Sequence, residues 1–166
     1  MENNKKIVIV DDDIDIINVV ESVLTAKGFT VLSANDKKEG LALIKKEKPD
    51  LAILDVMMTT QFEGFELANE LTNDDILKDM PIIIQTSIDV LTTTKASVQA
   101  MAREFRQKPE YSDMRVILVK YLVTGNAGVD YLNEQNENVW FPVSAFVRKP
   151  VDANILIPEI ARLLNK

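Results

Sequence analysis

Polar residues that could do chemistry follow the apolar runs of this chain at the points where the runs end. The run IVIV ends in Asp11 and Asp12, and the run LAIL ends in Asp55. PIIIQ is followed by Thr86, and AFVR is followed by Lys149. Three carboxylates that meet repel one another, and one lysine cannot neutralise them, so such a cluster calls for a bound cation. Ligation by oxygen alone favours Mg²⁺ or Mn²⁺.

Composition narrows the chemistry that is available. The chain has 166 residues, about one domain, and its 46% hydrophobic and 27% charged residues are typical of a globular protein with a formed core. It contains no cysteine and no histidine, which excludes disulfides, thiolates and imidazole as base or ligand. Any reaction must therefore use carboxylates, hydroxyls and lysine.

The charge balance and the apolar segments bear on partners and location. With 26 acidic and 19 basic residues the net charge is −7, which disfavours a direct grip on nucleic-acid phosphates. The polar start MENNKK leads into an apolar run too short for a signal peptide, and no later run approaches the roughly 20 residues of a membrane span. We expect a cytoplasmic protein with neither nucleic acid nor membrane as partner.

Short apolar strands alternate with amphipathic helices. Strands are predicted at 5–10, 29–34, 51–56, 81–85 and 144–150, and helices at 14–27, 37–47, 64–71 and from 153 onward. Repeated β-α units predict an α/β fold with a doubly wound, five-stranded parallel sheet. Ligands of such sheets bind beyond the carboxyl ends of the strands, where the five polar residues are expected.

One long segment interrupts this alternation. Sixty-three positions separate Thr86 from Lys149, roughly forty more than one helix and two loops need. Within them 89–106 is predicted as helix, 114–123 as a strand or buried helix, and 125–142 as loop. We predict a single domain over 1–166 with an insertion at 107–141.

The insertion is too apolar for a solvated loop, because MRVILVKYLV is accompanied by Tyr131, Trp140 and Phe141. We expect it to pack on the sheet edge as an added element. The alternative, a surface for a partner or for a homodimer, is less favoured.

Five signatures, in their order and spacing, make the chain resemble the receiver domains of response regulators in two-component signalling. They are IVIVDDD, PDLAILD, a glycine nine positions after Asp55 (Gly64), PIIIQTS and FVRKP. The resemblance implies the flavodoxin-like receiver fold. It also implies that Asp55 is the phosphoacceptor and takes its phosphoryl group from a histidine kinase or a histidine phosphotransfer protein.

The same resemblance implies a role for each matched residue. Asp11, Asp12, Asp55 and the backbone carbonyl of Met57 would hold Mg²⁺, or Mn²⁺. Thr86 and Lys149 would bind the phosphoryl oxygens, and Thr86 and Phe146 would act as the switch that signals phosphorylation to a downstream protein of unknown identity. Such a domain phosphorylates and dephosphorylates itself and is not a conventional enzyme.

Two alternatives stay open. A phosphatase of the haloacid-dehalogenase type also uses an aspartate and Mg²⁺, but its Asp-x-Asp-x-Thr signature would need a hydroxyl where Asp15 stands, and it would leave Asp55 without a role. A degenerate receiver that serves only as an interaction module is the second alternative. The intact set of five polar residues disfavours it.

Overall fold

The computed structural model of the chain describes residues 5–56, 63–95 and 97–165. The chain divides into two compact units, which we call the first unit (Met1–Ser87 with Val147–Lys166) and the second unit (Ile88–Phe146). The elements are β1 Lys6–Val10, α1 Ile14–Ala26, β2 Thr30–Ala34, α2 Lys37–Glu47, β3 Leu51–Asp55, α3 Glu63–Thr72, β4 Ile82–Thr86, β5 Val90–Thr93, α4 Val98–Gln107, β6 Val116–Tyr121, β7 Ala127–Leu132, β8 Asn138–Val143, β9 Ala145–Arg148 and α5 Ala153–Leu164.

The main sheet has five strands in the order β2-β1-β3-β4-β9, and β1 pairs in parallel with both β2 and β3, as does β3 with β4. Every residue of β3 and β4 is buried. Both strands are nearly continuously apolar, as is typical of central strands with both faces of the sheet buried. The prediction of a doubly wound, five-stranded parallel sheet is confirmed. α2 has the predicted bounds, and the other elements of the first unit begin and end within two residues of the prediction.

Gly64 allows α3 to begin directly against β3. Its backbone N–H donates to the carbonyl of Val56 at 3.2 Å. A Cβ at this position would lie 2.5 Å from the Val56 Cα and closer still to the Asp55 carbonyl oxygen, so any side chain would push the helix away from the strand that carries Asp55.

The second unit contains a mixed four-stranded sheet in the order β5-β6-β7-β8, in which β5 and β6 are parallel and the other pairs antiparallel. This confirms an inserted segment before the last strand of the main sheet. The predicted insertion at 107–141 holds β6, β7 and part of β8, and its exact bounds stay a prediction.

Two predictions within this segment are wrong. The helix predicted over 89–106 begins only at Val98, where Ser97 caps it by accepting a hydrogen bond from the Ala100 N–H, and 90–93 form a strand. The loop predicted over 125–142 is the hairpin of β7 and β8. Its turn is rich in Asn and Glu, and Gly128, Asp130 and Pro142 interrupt the apolar pattern of its strands, although five of the six residues of β7 are buried.

Helix α4 packs on one face of the second sheet. Val98 and Ala102 of the helix form a buried cluster with Ile117 and Val119 of β6. At the end of the helix the guanidinium of Arg106 makes a buried ion pair with Asp130 of β7, with 2.7 Å between Nη2 and Oδ1. These contacts bind the helix to the strands that follow it in the chain.

We predict that Gly64→Ala destabilises the protein by about 2–3 kcal/mol, because the new methyl overlaps backbone that cannot rotate away. Gly40→Ala is the matched control. Gly40 lies inside α2, where alanine gains about 1 kcal/mol of helix propensity, and its Cβ would meet the Val10 side chain at 2.8 Å. Urea denaturation of both variants measures the difference, and equal losses would contradict the close approach at Gly64.

A second prediction concerns the buried ion pair of the second unit. Asp130→Ala leaves the Arg106 guanidinium buried without its counter-charge and should cost about 3–5 kcal/mol. The double variant Arg106→Leu/Asp130→Leu removes both charges and should cost less than Asp130→Ala alone. Hydrogen exchange of the β6 and β7 amides reports the change, and a double variant as unstable as the single one would show that the penalty is not that of an unpaired charge.

Candidate functional site

The ends of four neighbouring strands bring the predicted residues to one edge of the main sheet. Asp11 and Asp12 follow β1, Asp55 ends β3, Thr86 ends β4, and Lys149 follows β9. The four strands are adjacent in the sheet, so their carboxyl ends share one edge. We call Asp11, Asp12 and Asp55 the acidic pocket.

Lys149 links the parts of this edge. Its ammonium donates to Asp55 Oδ1 at 2.8 Å and lies 3.5 Å from Asp11 Oδ2. Its backbone N–H donates to the carbonyl of Thr86 at 2.9 Å, which fixes the start of the loop after β9 against the end of β4. The lysine therefore contacts two carboxylates through its side chain and the hydroxyl-bearing residue through its backbone.

The three consecutive aspartates, Asp11, Asp12 and Asp13, have different surroundings. Asp11 turns inward and is only 1% exposed, whereas Asp12 is exposed. Asp13 is the N-cap of α1, and its Oδ1 accepts hydrogen bonds from the Asp15 N–H at 2.9 Å and the Ile16 N–H at 3.4 Å. This cap starts the helix directly after the third aspartate, so the first two carboxylates stay outside the helix at the edge of the sheet.

Asp11 has one satisfied and one unsatisfied oxygen. Oδ1 accepts the Asp13 N–H at 2.9 Å, while Oδ2 is buried and has no hydrogen-bond donor within the described part of the chain. Burial raises the pKa of Asp11 from 3.8 to about 6, and the Asp55 charge adds to the rise, while the Asp13 N–H and Lys149 oppose it. Ionisation of Asp11 is therefore less favourable in the folded protein than in the unfolded chain.

Lys149 stays protonated in this setting. Burial alone would lower the pKa of its ammonium, but the hydrogen bond and charge of Asp55, followed by the charge of Asp11, outweigh burial and raise the pKa above its usual value. The edge therefore carries one fixed cation beside three carboxylates.

The acidic pocket fits a divalent cation. One carboxylate oxygen from each of its three residues lies within 4.8 Å of the others. The donors are hard oxygens of the type that Mg²⁺ and Mn²⁺ prefer, one of them lacks a hydrogen bond, and Lys149 supplies too little positive charge to balance the set. These observations agree with the receiver metal site that the sequence implies.

The remaining predicted residues have different outcomes. Thr86 is buried at the end of β4, and Phe146 is half-buried on β9. The predicted carbonyl ligand of Met57 lies outside the described residues. The sequence does not point to Gln85 as a site residue, because it ends the apolar run PIIIQ. It is the register partner of Asp55 and is buried, with a side-chain nitrogen that no described group accepts from.

A parallel α/β sheet with an acidic pocket and a lysine at its carboxyl edge defines the class of protein. The family model described as "Response regulator receiver domain" matches residues 7–120, more than half of the chain. The chain therefore belongs to the response-regulator receiver family of two-component signalling. Because the match ends before Lys149, the place of this lysine rests on the geometry of the sheet edge.

Two curated proteins are similar to about two thirds of the chain. The "Probable transcriptional regulator ycf27" of Porphyra purpurea is 34% identical over 110 residues, which are 66% of this chain and 44% of that protein. The "Alkaline phosphatase synthesis transcriptional regulatory protein PhoP" of Bacillus subtilis (strain 168) is 32% identical over 106 residues, 64% of this chain and 43% of the relative. The chain thus spans less than half the length of these relatives.

Solved structures show the same fold. A CheY-like receiver domain protein from Methanospirillum hungatei JF-1 has a TM-score of 0.61 and 24% identity, with 98% of this chain and 95% of that chain covered. Chemotaxis response regulator CheY4 of Vibrio cholerae has a TM-score of 0.60 and 22% identity, with 98% and 100% covered. No helix in the described part of the chain has the length and hydropathy that a membrane span needs.

We predict that Asp11→Asn stabilises the metal-free protein at neutral pH. The folded protein releases the Asp11 proton near pH 6, and the unfolded chain releases it near 3.8, so ionising Asp11 opposes folding between these values and above them. The gain in free energy of unfolding should be about 2–3 kcal/mol at most near pH 7, and it should shrink as the pH falls towards 4.

Urea denaturation in EDTA at several pH values measures this gain. Asp12→Asn is the control, because Asp12 is exposed and loses little solvation on folding. Added Mg²⁺ should stabilise the wild type more than Asp11→Asn. A gain that did not depend on pH would show that the effect is not one of ionisation.

Proposed function

We propose that the chain is the phosphoacceptor of a two-component phosphorelay and that Asp55 takes the phosphoryl group. The observation that carries this proposal is the position of the Asp55 carboxylate, which is 4% exposed, bonded to the Lys149 ammonium at 2.8 Å, and grouped with two further carboxylates. A carboxylate so placed contacts one cation, Lys149, and belongs to a group of oxygen ligands that fits a second cation.

The proposed reaction needs both cations. An Asp55 oxygen forms the bond to phosphorus as the phosphorus–nitrogen bond of a phosphohistidine breaks, and the imidazole leaves with the bonding electron pair. Negative charge then lies on the transferred oxygens beside a carboxylate, and phosphoryl transfer depends on offsetting it. Lys149 binds one of these oxygens, and the Thr86 hydroxyl donates to another. A bound divalent cation supplies the additional positive charge.

The metal ligands in this proposal are Asp11, Asp12, Asp55 and the carbonyl of Met57. Asp11 and Asp12 draw their support from the grouping of the carboxylates and from the unsatisfied Oδ2 of Asp11. The inference that Met57 contributes its carbonyl comes from the resemblance alone. Mn²⁺ offers the same oxygen chemistry as Mg²⁺.

Signalling in this proposal starts from Lys149. A phosphoryl group on Asp55 offers the ammonium a stronger anion than the carboxylates that it contacts at present. The backbone N–H of Lys149 donates a hydrogen bond to the Thr86 carbonyl. A movement of the lysine would therefore also move the end of β4, where the switch residue Thr86 lies. Phe146, three residues before Lys149 in the chain, is the second proposed switch residue.

The phosphoryl donor would be a histidine kinase or a histidine phosphotransfer protein in the cytoplasm. Output would pass by conformational change to a protein partner, because the net charge of −7 disfavours direct binding of DNA. The names of the relatives describe transcriptional regulators, and this chain covers less than half of each. Signalling by contact is the proposal that this chain supports by itself.

We predict that incubation with acetyl phosphate and Mg²⁺ adds one phosphoryl group to the wild type and none to Asp55→Asn. Lys149→Gln should lower the rate by at least about tenfold, because the transferred oxygens lose a charge-assisted hydrogen bond. Intact-protein mass spectrometry measures the yield, and EDTA should abolish it. Asp15→Asn is the control, since it removes an exposed carboxylate near the site and should leave the yield unchanged.

The location of the label separates the alternatives. After proteolysis at low pH, a phosphoryl group on the peptide that contains Asp55 agrees with the proposal. A label on Asp11, with turnover of a small phosphoester, would favour the phosphatase alternative. No label under any condition would favour a degenerate receiver that acts only through contacts.

A further inference from the structure

The second unit contains a polar cavity of its own. Its volume is about 400 Å³, and α4 faces β7 and β8 across it. Small-molecule sites in proteins are typically clefts of about 300–1,000 Å³ with a few polar groups that fix orientation. The residues that line this cavity are Gln99, Arg103, Arg106, Gln107, Asp130, Asn138 and Trp140.

One stripe of α4 supplies the helical wall. Gln99 and Arg103 are four residues apart, and Arg106 and Gln107 follow one turn later, so all four side chains project from the same side of the helix. Val98 and Ala102 project into the buried cluster on β6. The helix is thus apolar where it packs on the sheet and polar where it faces the cavity.

Hydrogen bonds hold three side chains of the cavity lining, Arg106, Asp130 and Asn138, in place without a ligand. Asp130 Oδ1 accepts from Arg106 Nη2 at 2.7 Å and from Asn138 Nδ2 at 3.0 Å. Arg106 also donates through Nη1 to the Met114 carbonyl. The charges of Arg106 and Asp130 cancel because the two side chains form an ion pair. These side chains are only 12% and 6% exposed, so the surrounding residues hold them in position.

Arg103 leaves the cavity with a net positive charge. Its side chain is exposed, and within the described ranges it has no carboxylate or other hydrogen-bond acceptor as partner. Because the Arg106 and Asp130 charges cancel, this guanidinium is the uncompensated charge of the lining. The guanidinium therefore makes the cavity locally favourable for an anion, although the protein as a whole carries a net charge of −7.

Trp140 adds an aromatic side chain to the lining of the cavity. Its six-membered ring covers Gly128 on the neighbouring strand so closely that a Cβ there would overlap the ring, with Cζ3 at 2.9 Å. The indole also packs on the cluster beneath α4, and the part that stays exposed lines the cavity. A glycine on β7 therefore holds the ring in place against the sheet.

We propose that this cavity binds a nucleotide, with the base against Trp140 and the phosphate on Arg103. A free phosphate or an aliphatic acid would use the single guanidinium and leave the ring unused. A planar base gains from stacking on an aromatic side chain, and its edge has donors and acceptors for the Gln99 and Gln107 amides. The site shares no residue with the acidic pocket, so this inference goes beyond the proposed function and does not depend on it.

The test uses Trp140 as its own reporter, because the chain has one tryptophan. The full chain is titrated with AMP, GMP, CMP and UMP, and fluorescence is excited at the red edge of the indole band. At least one nucleotide should cause saturable quenching with a dissociation constant below about 1 mM. Its nucleoside should bind about tenfold more weakly because it lacks the charge-assisted contact. Inorganic phosphate should leave the fluorescence unchanged.

Matched variants decide between a site and a surface effect. Arg103→Gln should weaken the nucleotide about tenfold, to the level of the nucleoside, whereas Lys95→Gln removes one positive charge from the same unit outside the cavity and should have no effect. Asp55→Asn should bind the nucleotide like the wild type, which separates this test from that of the phosphoacceptor.

Two results would overturn the proposal. One is the absence of saturable quenching by all four nucleotides, checked by calorimetry. The other is equal weakening by Arg103→Gln and Lys95→Gln, which would assign the effect to general electrostatic attraction. Unchanged circular dichroism of Arg103→Gln shows that the variant is folded, as its exposed position leads us to expect.

Discussion

The crowding of like charge at the carboxyl edge of the main sheet is the constraint on which the site depends. Asp11 and Asp55 are both nearly inaccessible to solvent, and Lys149 is the ammonium that contacts both. Because removing a carboxylate from water is costly, such an arrangement persists only if the rest of the fold holds it together. Three features hold the carboxylates together: the parallel strands, the Asp13 cap, and the backbone hydrogen bond from Lys149 to Thr86.

Much of this arrangement could be predicted from sequence because parallel strands buried on both faces have a simple signature. Runs such as IVIV and LAIL are apolar at every position, and a polar residue directly after such a run must lie at the sheet edge. The same reasoning placed Asp11, Asp55, Thr86 and Lys149 together. Asp11 points inward and Asp12 outward because of the backbone conformation after β1. The sequence does not predict this difference, because the two residues are identical and adjacent.

The second unit was harder to predict for a physical reason. Five of the six residues of β7 are buried, but the apolar pattern of β7 and β8 is interrupted by Gly128, Asp130 and Pro142. Each of these has a role that appears only in three dimensions. Gly128 makes room for the Trp140 ring and Asp130 neutralises Arg106, while Pro142 lies on an edge strand, where no further strand needs its missing N–H.

The distance along the chain between Asp55 and Lys149 has a consequence for folding. The two residues that meet at 2.8 Å are separated by 94 positions, and the second unit occupies most of that interval. Closing so long a loop costs entropy, although the cost grows only with the logarithm of loop length. A second unit that collapses early shortens the effective loop, since the Lys149 N–H and the Thr86 carbonyl show that the chain returns close to the point where it left the main sheet. If the second unit folds first, the first unit has a shorter effective loop to close. The contact between Lys149 and Asp55 should then form faster.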